Sequence, residues 1–327
     1  MRFFLYFSII CTYAMKRISI QGRFSKTDGF LFFSLKYRKI KLYEQQESEG
    51  GEEEMKVLAS DFDGTICFWQ KEEGQSYRNE DVEAIRRFQE EGNLFGLNTG
   101  RSVWTTDNIH EKTNGVIPFD FIIGDTGSVI ADQNRVPFFS RPLDPDLIFQ
   151  AIEAAGSDSV VFSTENGYMA LRDLGGEFPH QVIENREALR NMTICSFSFE
   201  EPTHEQAAAV AERLRNSGLP LSVNQNWQSV DVCDQSCSKG NALKILADHY
   251  SLQLKDIAAI GDGLNDLPAI QKAGIGFAMK QAPEQLHDAA DYTVESVREA
   301  IEILEKIDAA EKETEKSCQS SGSQKAD

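Results

Sequence analysis

Val57-Leu58-Ala59-Ser60-Asp61-Phe62-Asp63-Gly64-Thr65 is the stretch on which the reading of this chain turns. Its first four residues are short, apolar and β-compatible, as expected of a strand buried on both faces of a parallel sheet. Asp61 and Asp63 stand two apart, so an extended backbone points both carboxylates to one side. Gly64 permits a sharp turn with positive φ, and Thr65 adds a hydroxyl at the bend. Paired carboxylates at the C-terminal end of a strand suit a hard cation such as Mg²⁺. They also suit a division of labour in which one attacks and the other shuttles a proton. A solvated Asp-x-Asp-Gly turn has the same local pattern, so the residues downstream decide between the two.

The 327 residues suit one large or two modest domains, and 41% hydrophobic content is ordinary for a globular core. A formal charge of −19 argues against nucleic acid or an anionic membrane as a main partner. An acidic protein that binds a phosphorylated ligand therefore needs a local cationic centre, which a metal and a lysine can provide. The six cysteines lack the spacing of a disulfide framework, which favours a reducing, cytoplasmic setting. Cys233 and Cys237 have no second Cys/His pair and read as small residues of a strand and loop rather than a metal site.

The two ends differ from the middle. Residues 1–43 are basic and aromatic, and 44–54 are acidic. Residues 3–15 resemble a signal h-region but lack a small-x-small cleavage site and are too short to span a bilayer. Met55 is a natural start, because the first core strand begins at Val57, and 1–54 reads as an over-extended frame or a poorly ordered leader. Residues 308–327 are polar and serine- and charge-rich, and read as a disordered tail.

From Met55 the pattern alternates. Asn79 is a candidate N-cap for a helix through Glu91, with Val82, Ile85 and Phe88 at helical spacing. Residues 93–97 form a second strand, ending in Thr99-Gly100-Arg101, a hydroxyl, a glycine and a cation suited to phosphoryl oxygens at a sheet's carboxyl edge. A further helix and a strand over 119–123 follow, and strand–helix–strand alternation is the signature of a parallel α/β sheet. Around residue 142 the rhythm changes to a helix, a hairpin about Glu165-Asn166-Gly167, an alternating strand, a helix and a short strand. This α+β segment reads as an inserted domain over 142–224, within a core formed by 55–141 and 225–307. Residues 229–233 are expected to lead the chain back into that core. Lys239 then opens a helix where the dipole disfavours a cation, which hints at an anionic partner. A buried strand over 256–260 ends in Gly261-Asp262-Gly263-Leu264-Asn265-Asp266, whose oxygens can complete a Mg²⁺ site with those of Asp61. For that, Asp262 must lie within roughly 8 Å of Asp61.

Asp61-Phe62-Asp63-Gly64-Thr65, Thr99-Gly100-Arg101, Lys239-Gly240 and Gly261-Asp262-Gly263-Leu264-Asn265-Asp266 together resemble the four ordered motifs of the haloacid dehalogenase superfamily. The insertion between the second and third motifs resembles the cap of the Cof-like, subclass IIB sugar-phosphatase branch. The resemblance implies a Rossmann-like three-layer α/β core with an inserted α+β cap, and a phosphatase acting on small phosphorylated metabolites. It implies that Asp61 is the nucleophile, forming an aspartyl-phosphate, and that Asp63 protonates the leaving oxygen and then activates water. Thr99, Gly100 and Lys239 would bind the phosphoryl oxygens. Mg²⁺ would sit on Asp61, Asp262 and the Asp63 carbonyl, with Asn265, Asp266 and Arg101 in support. Asp63 also separates phosphoryl transfer from carbon–halogen chemistry, which lacks a second carboxylate there.

Thr126-Gly127 and Lys280-Gln281-Ala282 depart from the branch's usual Asn-Gly and Gly-Asn-Ala. Glu165, Asn166, Arg172 and His180 are candidate cap contacts to substrate, with exposed loop polar groups as the plain alternative. A phosphomutase of the same fold is the runner-up. An idle binding module is disfavoured because all four of Asp61, Asp63, Lys239 and Asp262 are present, and cation pumping would need membrane-spanning helices.

Overall fold

The computed structural model describes residues 55–70, 74–105, 116–175 and 180–322. The leader expected over 1–54 lies outside them, as does the segment 106–115 where a helix is expected after Arg101. In chain order, β1 (Val57–Ser60) leads to a hairpin of β2 (Cys67–Gln70) and β3 (Gly74–Tyr77), then α1 (Asn79–Glu90), β4 (Leu94–Asn98) and the meander β5 (Phe121–Gly124), β6 (Val129–Asp132) and β7 (Pro137–Ser140). The inserted unit carries α2 (Pro145–Ala155), β8 (Val160–Thr164), β9 (Gly167–Ala170), β10 (Gln181–Val182), β11 (Ser196–Glu200), α3 (His204–Asn216), β12 (Leu221–Asn226) and β13 (Ser229–Asp234). The chain closes with α4 (Lys239–Tyr250), β14 (Ile257–Gly261), α5 (Leu267–Ile270), β15 (Ile275–Met279), α6 (Glu284–Ala289), β16 (Tyr292–Val294) and α7 (Val297–Gly322).

Strands order β16-β15-β14-β1-β4-β5-β6-β7 in an eight-stranded sheet, parallel from β16 to β5 and antiparallel at the β6 and β7 edge. Successive residues of β1 serve opposite faces, as the pleat requires. Val57 and Ala59 join Leu243 and Leu246 of α4 on one side. Leu58 joins Ile85 and Phe88 of α1 and Ile301 and Leu304 of α7 on the other. Helices on both faces of a buried parallel sheet make the expected three-layer core. All four residues of β1 are buried, which puts its polar C-terminal extension at the sheet's carboxyl edge.

The insertion forms a second, six-stranded sheet, β10-β9-β8-β11-β13-β12, antiparallel apart from β9–β10. Phe162, Phe197, Phe199, Val230 and Val232 cover one face with α2 and α3. The expected hairpin is present, with Thr164 paired to Gly167 across the turn. This α+β cap on a parallel α/β core is the fold class read from the sequence.

Three expectations are corrected. The segment expected to re-enter the core at 229–233 is β13, an interior strand of the cap sheet between β11 and β12. Its alternation says which face is apolar but not which sheet supplies its neighbours. Asn79 lies inside α1 and Arg78 is the cap residue, without a side-chain cap bond. Asp81, in that first turn, instead accepts the Arg298 N–H of α7 at 2.8 Å. Residues 308–327 do not form a disordered tail throughout, because α7 runs on to Gly322. Ala309, Ala310, Glu311 and Lys312 are strong helix formers, and Lys56 Nζ holds Asp308 and Glu311 at 3.5 and 3.4 Å. Among the described residues, no helix is long and apolar enough to cross a membrane.

Candidate active site

Parallel pairing sets Ser60 beside Ile260, so the turns after β1 and β14 leave the sheet side by side. The Asp61 N–H donates to the Ile260 carbonyl at 2.9 Å, extending that pairing by one bond into the site. Gly64 has φ +80, and a Cβ there would lie 2.0 Å from Asp262 Oδ2. Only a glycine permits both that backbone conformation and that approach.

Carboxylate oxygens of Asp61, Asp262 and Asp266 lie within 4.8 Å of one another, well inside the separation that metal sharing requires. Asp61 is 6% exposed and Asp266 3%. The Lys239 ammonium, fully buried, donates to Asp61 Oδ1 at 2.7 Å and also to Asp266 Oδ1. The unusual lysine of the α4 first turn thus meets its carboxylate partners. Ser238 caps that helix by accepting the Asn241 N–H at 3.0 Å. Asp266 Oδ2 accepts the N–H groups of Asp262 and Gly263 at 3.1 and 3.0 Å, holding the loop that presents Asp262.

Three carboxylates surround one ammonium, leaving two negative charges uncompensated when all are ionised. Burial, opposed by Lys239 but reinforced by Asp266 and Asp262, holds the Asp61 carboxyl well above its ordinary range. Burial and the Asp266 charge push Asp262 up to about 6. Burial alone would lower the Lys239 ammonium, but Asp266 and Asp61 outweigh it and keep it protonated. A crowded, all-oxygen, net-negative cluster fits a hard divalent cation such as Mg²⁺.

The second carboxylate of the opening motif goes elsewhere. Arg101 grips Asp63 with Nε and Nη2, each at 2.6 Å, in a bidentate pair. The same guanidinium lies 5.3 Å from the centre of the Phe62 ring. The Asp63 side chain is half-exposed, so it stands at the mouth of the site. Thr99 is buried at the end of β4, and its Oγ1 accepts the Arg101 N–H at 3.1 Å. Gly100 follows, with its open side toward Thr126 Oγ1 and Asp231 Oδ2. The Asn265 side chain folds over Gly263.

Both departures from the branch pattern lie at this site. Asp125, Thr126 and Gly127 are all left-handed, with φ 53, 55 and 91. Such a conformation strains a β-branched threonine by roughly 1–3 kcal/mol. A Cβ on Gly127 would lie 2.4 Å from the Ser238 carbonyl oxygen, so the turn presses against the cap of α4. Gln281 Nε2 donates to the Gly64 carbonyl at 2.6 Å, and its side chain also reaches Asp262. Gln281 thereby ties two of the four motifs together. Lys280 turns outward to Glu295.

Of the candidate cap contacts, Arg172 pairs with Asp158 at 2.8 Å and with Ser159, at the end of β8 away from the core. His180 Nε2 accepts the Leu174 N–H at 3.1 Å within the cap. Glu165 and Asn166 form the exposed hairpin turn beside Ser163 and Tyr168. Four residues escaped the sequence reading. Asn98 Nδ2 donates to the Lys239 carbonyl at 3.2 Å. Asp125 accepts the Ser196 hydroxyl at 2.6 Å and so ties cap to core. Gln281 and Asp231 complete the set. Gln281 stood in a segment already marked as unusual, Asp125 directly before another and Asn98 beside a motif, but nothing local to Asp231 signals a site.

A family model for haloacid dehalogenase-like hydrolases matches residues 58–301. Over 243 residues the chain is 26% identical to the 5-amino-6-(5-phospho-D-ribitylamino)uracil phosphatase YcsE of Bacillus subtilis (strain 168), covering 74% of this chain and 91% of that protein. Over 252 residues it is 26% identical to the phosphoglycolate phosphatase of Methanothermobacter thermautotrophicus, covering 76% and 97%. The fold matches that of the HAD subclass IIB sugar phosphatase BT4131 with a TM-score of 0.63, at 18% identity, covering 77% of this chain and 99% of that one.

Proposed function

The chain belongs to the haloacid dehalogenase-like hydrolases, and from that premise we propose that Asp61 is the nucleophile of a Mg²⁺-dependent phosphatase for small phosphorylated metabolites. It is a phosphatase of this family, and the named relatives are phosphatases of small phosphorylated compounds. The observation that carries the proposal is the buried Lys239 ammonium between Asp61 and Asp266, with Asp262 in the same cluster.

In the first half-reaction a carboxylate oxygen of Asp61 bonds to phosphorus as the ester oxygen departs, giving an aspartyl-phosphate. Lys239 favours the ionised, attacking form of Asp61 against the burial and like charges that oppose it, and offers a positive charge to the transferring oxygens. Thr99 and the Gly100 turn bind those oxygens at the end of β4. Asp63 gives its proton to the leaving oxygen, then takes one from the water that splits the intermediate. To do so it exchanges its pairing with Arg101 for the substrate, so Arg101 governs its availability rather than touching phosphate. Asp61, Asp262 and the Asp63 carbonyl would hold Mg²⁺, with Asp266 supporting them in the same cluster; when bound it would supply Lewis-acid stabilisation of the phosphoryl charge. The cap excludes water from the cleft and selects the leaving group.

Asp61→Asn should lower Mg²⁺-dependent hydrolysis of an aryl phosphate by roughly three orders of magnitude or more, with an unchanged circular-dichroism spectrum. Turnover surviving in that variant would remove Asp61 from its role.

A further inference from the structure

The strands of the cap expose a second face, opposite the apolar one, and it looks onto the core. Phe197 and Phe199 point into the cap core, so the period of two turns Ser196 and Ser198 the other way. The same alternation turns Asp231 away from Val230 and Val232, and Asn224 away from Val223. Register sets Ser198, Asp231 and Asn224 side by side across three strands. Two contacts fix the direction of this face. Ser196 Oγ donates to Asp125 of the core at 2.6 Å. A Cβ placed on Gly100 would lie 3.4 Å from Asp231 Oδ2, so this carboxylate hangs over the turn assigned to phosphoryl binding.

Asp231 Oδ1 accepts the Ser198 hydroxyl at 2.6 Å, while Oδ2 faces the Gly100 turn. The residue is half-buried, enclosed by protein yet reached by solvent. Burial pushes its carboxyl up to about 6, against the pull of the Ser198 hydrogen bond. Among the described residues, the strands of this face carry hydroxyls, amides and carboxylates but neither lysine nor arginine. The core cation whose charge reaches Asp231 is Lys239, which is engaged by Asp61 and Asp266, and the carboxylates of Glu200 and Asp125 act against it. A carboxylate in such surroundings gains from a donated hydroxyl and repels a second anion.

We infer that Asp231 is a specificity-determining residue, accepting a hydroxyl of an uncharged, hydroxyl-bearing leaving group and rejecting leaving groups that carry a carboxylate or a second phosphate. The inference rests on the phosphatase reading, because it takes the Gly100 turn as the seat of the transferring phosphoryl group. It also sets this chain apart from relatives named for phosphoglycolate, whose leaving group is a carboxylic acid.

The test uses a matched pair, glycerol 3-phosphate and 3-phosphoglycerate, which differ by a hydroxymethyl against a carboxylate. Full-length Asp61→Asn protein is titrated calorimetrically with each, with Mg²⁺ present and at about pH 8, where Asp231 is ionised. The neutral ester should bind about tenfold tighter or more. Adding Asp231→Asn should shrink that preference to within about threefold. Asn224→Lys, which places a positive charge at a half-exposed position of the same row, should shrink it as well without touching Asp231. Equal affinity for the two esters, failure of the neutral one to bind, or a preference that survives both substitutions overturns the inference. The titration needs no turnover, so it is separate from the phosphatase reading. That reading fails instead if the wild-type protein hydrolyses no phosphate ester or if Asp61→Asn retains activity.

Discussion

Two acidic regions face each other across the cleft, and burial holds Asp61 and Asp262 in one and Asp231 in the other above the ordinary carboxylate range. At the core edge, Asp61, Asp262 and Asp266 crowd around one buried ammonium. On the cap, Asp231 sits among hydroxyls and amides, hydrogen-bonded to Ser198. The shift has the same first cause in each, burial, but the second cause differs. For Asp262 it is the Asp266 charge, which only a cation relieves; for Asp231 it is the Ser198 hydroxyl, which already relieves it, with the Glu200 and Asp125 charges adding less. Raised carboxyls alone therefore do not identify a metal site. Carboxylate oxygens gathered within reach of one ion do.

Removing the cation should break this contrast most severely. Lys239→Met leaves Asp61 and Asp266 buried without their shared ammonium. Stability should fall by about 3–5 kcal/mol, and kcat by roughly a thousandfold. Saturating Mg²⁺ should restore part of the stability, measured by urea unfolding with and without the ion, because the remaining carboxylates still attract a cation. A variant as stable as the wild type would show that the cluster is not held by charge.

Arg101→Ala tests the mouth of the site. The Arg101–Asp63 pair is partly exposed, so its loss should change stability by less than about 1 kcal/mol. Without the guanidinium that positions it, Asp63 should serve the leaving oxygen less well, with kcat falling about tenfold at unchanged KM. A raised KM with an unchanged kcat would instead make Arg101 a direct phosphate contact.

An effect on stability alone lies where the two regions meet. Burial raises Asp125 to about 6 from 3.8, against hydrogen bonds that include the one from Ser196. The folded state thus holds this proton more tightly than the unfolded chain does. Its contribution is most favourable below about pH 4 and is lost as pH rises through about 6. Asp125→Asn should flatten that decline, by on the order of 1–3 kcal/mol between about pH 4 and pH 7. Urea midpoints across that range measure it; parallel curves for the two proteins would exclude Asp125 as the source.

The chain's own order of residues was enough to read the parallel core, the inserted cap and the motif residues. Those signals are local: an apolar run ending in Asp61-Phe62-Asp63-Gly64, or Lys239 in a helix's first turn, states its chemistry within a few positions. The pairing of β13 with the cap sheet, the capture of Asp63 by Arg101, the bridge from Gln281 to Gly64 and the placement of Asp231 over Gly100 came only with the tertiary structure. Alternation along a strand tells which side is apolar, but not which strand lies next to it or what its polar side will face. Likewise a carboxylate reveals its charge in the sequence, whereas its partner, drawn from 38 positions away for Asp63 and 71 for Asp125, is chosen by how the sheets stack.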